Sequence, residues 1–164
     1  PPRSTLFPYT TLFRSDSEPT SDLIRCLRRP DLSILGNSIR SLSPTQWQER
    51  MLFTGVADTE LRRHTGGSFP ATLRKDKTTH PIFVLLARTI GHLVCPCSSK
   101  GHRRKNRYIA VGCRLDMTPN VMDRDSFLIE QYRFTIPLDH RFQKHLRFHG
   151  SVPATCIRDE RNDR

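Results

Sequence analysis

Pro81 to Ala87 reads Pro-Ile-Phe-Val-Leu-Leu-Ala, the longest unbroken apolar run in the chain. It is about a third of the ~20 residues that a membrane-crossing helix needs. With no polar residue to turn toward water, it predicts a strand covered on both faces. Arg88-Thr89-Ile90-Gly91 reads as a turn, and Gly91 to Cys97 as a second strand pairing back in a hairpin. Ser98 to Asn106 is a basic loop, and Arg107 to Cys113 a third strand. Such short strands with little helix predict a compact barrel or half-barrel, mainly β in class with an α+β flavour.

A later strand, Phe127 to Ile136, changes character midway and ends at Pro137. Ser126, Leu128, Glu130 and Tyr132 fall on one side, and Phe127, Ile129, Gln131 and Arg133 on the other. A strand of this kind buries apolar residues near its start and presents Glu130, Gln131 and Arg133 at a polar rim. Two short helices are expected beside the strands. Ser43-Pro44-Thr45-Gln46 reads as a capping box opening a helix from Pro44 to Phe53, with Trp47, Met51 and Leu52 on one stripe. Leu138 to Phe148 reads as a second helix, stopped by Gly150. Gly66-Gly67 and Pro70 mark a loop.

The domain is expected to span residues 44–157, followed by a charged tail, 158–164, that frays. Thr5 to Ser15, Thr-Leu-Phe-Pro-Tyr-Thr-Thr-Leu-Phe-Arg-Ser, resembles the in-frame translation of a short-read sequencing adapter. Residues 1–15 are therefore set aside, and are not read as a signal peptide. Residues 16–43, rich in Ser, Arg and Pro, are expected to be poorly ordered or non-native, with a short helix from Asp22 to Arg28. Met51 is the first methionine.

The formal charge is +11, and it is concentrated. Residues 74–114 carry ten Lys and Arg against Asp76 alone. So focused a field favours a polyanion over a merely solvated surface. Lys77, Lys100, His102, Arg103, Arg104, Lys105 and Arg107 are the candidate phosphate contacts, and Tyr108, Tyr132 and Phe134 are candidate stacking faces for unpaired bases. No membrane partner and no cofactor are expected. The five cysteines, an odd count without an export signal, predict reduced thiols and a cytoplasmic location. Cys95, Cys97, His102 and Cys113 make a poor zinc set, because Cys-Pro-Cys lacks the spacing of a knuckle.

Several phrases in order resemble the MazF/PemK toxin family. They are His80-Pro81 before the apolar run, Val94-Cys95-Pro96-Cys97-Ser98-Ser99, Arg124-Asp-Ser to Glu130-Gln131-x-Arg133, and the turn Phe148 to Pro153. The resemblance covers residues 80–155. It implies a small SH3-like barrel, a homodimer, and metal-independent cleavage of single-stranded RNA by the ribose 2′-hydroxyl. It also implies neutralisation by an acidic antitoxin peptide. Ser98 takes the family's hydroxyl position, and His80 stands where the family has Arg. Imidazole can exchange protons near neutral pH but lacks the permanent forked donor of a guanidinium. Met51 to Ala57 is the candidate for the family's first strand. The rival reading is a catalytically silent barrel that binds nucleic acid or an acidic protein through the basic loop.

Overall fold

The computed structural model describes residues 42–70 and 79–161. The adapter-like segment, the Asp22 to Arg28 helix and Lys77 lie outside them. In chain order the elements are β1 (Met51–Ala57), helix α1 (Asp58–His64), β2 (Thr79–Leu86), β3 (His92–Ser98), β4 (Tyr108–Ile109), β5 (Ser126–Leu128), β6 (Phe134–Ile136), β7 (Arg147–Ser151) and β8 (Ile157–Arg158). The strands run β7-β1-β2-β3-β5-β4-β8, with β6 also paired to β3. All ladders are antiparallel, and the sheet curls into a half-barrel. The mainly β expectation is met.

The centre of the sheet is covered on both faces, as the apolar run demands. Leu52 pairs with Phe83, and Phe83 with Cys95, so these three share a face. They pack with Ile109, Leu128 and Val152 in one core. Phe53, Ile82, Val84 and Val94 alternate to the other face and join Trp47, Leu61, Ile136 and Phe148 in a second core. Trp47 stacks on Phe53 at 4.3 Å between ring centroids and lies 5.8 Å from His92. Buried His92 is fully engaged. Its Nδ1 accepts from the Arg88 amide at 3.3 Å, which leaves Nε2 to donate to the Pro44 carbonyl at 2.6 Å.

The stretch read as one strand from Phe127 to Ile136 is two strands separated by a 3-10 turn, Glu130–Tyr132. Leu128 pairs with Cys97 and Phe134 with Val94. Five residues, 129–133, therefore span what Cys95 and Pro96 span on β3. Pro96 contributes to the break. Its carbonyl accepts from the Ile129 amide at 2.9 Å, so its backbone faces this segment, yet proline has no N–H to return. The ladder loses a donor there, and the opposing chain bulges outward.

Both expected helices are corrected. Only Pro44–Gln46 is helical, a single 3-10 turn without a side-chain cap from Ser43. Arg50 adopts φ +65°, which no helix tolerates, and Met51 to Phe53 bury on alternate faces as strand. Leu138 to Phe148 is a connection leading into β7, because Arg147, Phe148, Gly150 and Ser151 find ladder partners on β1. Gly150 ends no helix. It sits in β7 at φ +149°, where a Cβ would lie 2.6 Å from Leu115 Cβ. The tail is tied down as far as the description reaches. Arg158 pairs with Tyr108, and Glu160 accepts the Tyr108 hydroxyl.

The expectation of uniformly reduced thiols is also overturned. Cys113 and Cys156 form a disulfide, their Cα atoms 5.7 Å apart. Pairing of β8 with β4 brings Cys156 beside Cys113, a proximity that separation by 43 residues hides. The pairing removes Cys113 from any zinc set. Cys95 and Cys97 remain free and buried. The neighbouring Cys97, then burial, push the Cys95 thiol well above its ordinary range and keep it protonated.

Candidate functional site

β2 begins and β3 ends on the side of the sheet that carries the bulge, and a cavity of about 680 Å³ opens beside them. His80 of β2 and Ser98 of β3 both line it. So do Lys100, Lys105 and Asn106 of the basic loop, Gln131 and Tyr132 of the bulge, and Asp58, the first residue of α1. A second cavity of about 460 Å³ adjoins it, sharing Lys105, Asn106 and Gln131, and adds Glu130, Arg133 and Arg161.

Asp58 is the residue that the sequence did not disclose. β1 pairs with β2 through Val56 and His80, so the turn from β1 into α1 sets Asp58 beside the imidazole. Its Oδ1 lies 2.5 Å from His80 Nδ1. Asp58 is buried and His80 half-buried, and Phe69 packs edge-on against the imidazole at 5.1 Å. Tyr132 in turn meets Phe69 edge-on at 5.5 Å. With Nδ1 held by a carboxylate, Nε2 is the nitrogen left for proton exchange.

Ser98 closes β3, and its Oγ accepts the Lys100 amide at 3.0 Å, which leaves its own proton free to donate. Gly101 follows because nothing larger fits. A Cβ there would lie 2.3 Å from Phe127 Cγ and 2.5 Å from Phe127 Cβ. The backbone of the loop is thereby pressed onto the end of the sheet beside the cavity.

The loop's cations divide into two groups. Arg103 binds Asp125 at 2.7 Å, approaches Glu160 at 4.0 Å and lies over the Tyr108 ring at 5.0 Å. Arg107 binds Glu130 at 2.7 Å. The Val111 amide, with Arg103, holds the Asp125 carboxyl below its ordinary range. These two arginines fasten the loop. Lys100, Arg104 and Lys105 are exposed and make no ion pair among the described residues. His102 is exposed, and its Nδ1 accepts the Arg104 amide at 3.2 Å. Of the three aromatics expected as stacking faces, Tyr132 lines the cavity, whereas Tyr108 and Phe134 are buried.

Comparison with protein-family models, with curated proteins and with solved structures found no match. Among the described residues, no helix is long and apolar enough to cross a membrane.

Proposed function

We propose that the cavity cleaves single-stranded RNA without a metal, in the manner of the MazF/PemK toxins. The observation that carries this reading is the presence of His80 and Ser98 in one cavity bordered by Lys100 and Lys105. A phosphodiester across it meets a base, a hydroxyl donor and two cations. His80 Nε2 takes the proton from the ribose 2′-hydroxyl, whose oxygen attacks the adjacent phosphorus. Asp58 fixes the imidazole tautomer and stabilises the imidazolium. Lys100 and Lys105 offset the charge of the phosphorane, and Ser98 and Gln131 donate to its oxygens. The P–O5′ bond breaks as the 5′ oxygen takes up a proton from water, giving a 2′,3′-cyclic phosphate and a 5′-hydroxyl, and the His80 imidazolium returns its proton to solvent. Tyr132 offers a face for an unpaired base. An acidic peptide laid over Lys100, Arg104 and Lys105 would shut the site.

The test is incubation of the full chain with a panel of single-stranded RNAs in EDTA. Products with cyclic phosphate termini are expected, and His80→Ala and Ser98→Ala should each abolish them while the variants stay folded. Tight, salt-dependent binding without any cleavage would replace this reading with the silent nucleic-acid-binding barrel.

A further inference from the structure

Glu60 is completely buried, and a carboxylate in that setting demands compensation. His140 Nε2 approaches Oε1 at 2.7 Å, and the Gln143 amide donates to Oε2 at 3.2 Å. Arg63 stands 3.7 Å away, with its side chain mostly in solvent. One helical turn beyond Glu60, on the same face, comes His64. Its ring stacks on Phe134 at 5.0 Å and meets His140 edge-on at 4.9 Å. Its Nε2 is buried and has no hydrogen-bond partner among the described residues. An orphaned ring nitrogen beside a buried carboxylate and a second imidazole calls for a shared partner.

One ligand atom from each of Glu60, His64 and His140 lies within 4.8 Å of the other two. Metal–ligand bonds of about 2.0–2.1 Å put tetrahedral ligand atoms roughly 3.4 Å apart, so the 2.7 Å Glu60–His140 pair opens slightly while the His64 ring turns inward to complete the set. Two imidazoles and one carboxylate suit a borderline cation such as zinc, not the all-oxygen preference of calcium or magnesium. The exposed Arg63 has room to swing away as the cation enters.

We propose that Glu60, His64 and His140 form a zinc site that fastens α1 to the connection between β6 and β7. The inference stands apart from the RNA-cleavage reading. Three protein ligands leave one coordination position for water.

The full chain, stripped with a chelator, is titrated with Zn²⁺ and with Co²⁺. One equivalent should bind, the melting temperature should rise, and the Co²⁺ spectrum should show a four-coordinate site without thiolate charge-transfer bands. Glu60→Gln, His64→Ala and His140→Ala should each weaken binding by more than about tenfold. If a variant fails to fold, the Co²⁺ spectrum of the native chain still decides the ligand type. Absence of stoichiometric binding, thiolate bands pointing to Cys95 and Cys97, or binding indifferent to His64→Ala would each overturn the proposal.

Discussion

Asp58 Oδ1 and His80 Nδ1 meet at 2.5 Å although 22 residues separate them, because the β1–β2 register carries both to the same end of the sheet. If the imidazole is the base, its carboxylate partner governs tautomer and charge. Asp58→Asn should lower single-turnover RNA cleavage by about 10²–10⁴-fold. RNA affinity measured by filter binding should change by only a few-fold. Equal loss of binding and cleavage would instead mark Asp58 as a support for the cavity wall.

The two groups of cations should separate in salt dependence. Lys100→Ala and Lys105→Ala should each reduce the slope of log affinity against log salt by about 0.7 for single-stranded RNA. Arg103→Ala should leave that slope nearly unchanged and lower the melting temperature, since its guanidinium is already engaged by Asp125. Fluorescence anisotropy over a salt series reads both.

Gly101→Ala should be disproportionately harmful for so small a change. The new methyl collides with the root of the Phe127 side chain, so either the loop or β5 must move. A loss of about 1–3 kcal/mol in urea unfolding is expected, with weaker RNA binding if the loop is the part that yields.

Acid should loosen the loop through Asp125. Its folded-state value lies below the unfolded one, so its contribution to stability is fully present above the unfolded value of about 3.9 and is lost as pH falls through the depressed value. Thermal melts should show Asp125→Asn less stable than the parent near neutrality, with the gap closing below about pH 4. A gap that persists unchanged in acid would show that the carboxylate charge is irrelevant.

Reduction should expose the contribution of the Cys113–Cys156 bond. Closing a loop of this length is worth about 4 kcal/mol in the chain-entropy account, so dithiothreitol should destabilise the parent markedly. Cys113→Ser with Cys156→Ser should be insensitive to the reductant. A parent equally stable in both conditions would remove the bond from the folding energetics.

The β architecture was legible because Ile82 to Leu85 have no polar face to show, and a run so short between turn signals suits a doubly covered strand better than a buried helix. The neighbourhood of His80 and Ser98 was legible from the two strand ends that carry them. Asp58 was not, since nothing local distinguishes an acid in the first turn of a helix from any other such acid. The two helices misread at Pro44 and Leu138 show the same limit. Trp47, Met51 and Leu52 fit a helical stripe as well as they fit two opposed cores, and β7 reveals itself only through its partner β1. His64 and His140 meet across 75 intervening positions, a closeness with no trace in spacing.

Pro96 leaves a gap in the ladder beside the candidate site. Its ring brings no hydrogen to the ladder, and the facing chain, longer by three residues, loops out. Gln131 and Tyr132 ride on that loop and lean over the hollow. An imino acid in the middle of β3 thus acts as a wedge, converting a stretch of ordinary pairing into an overhanging lip.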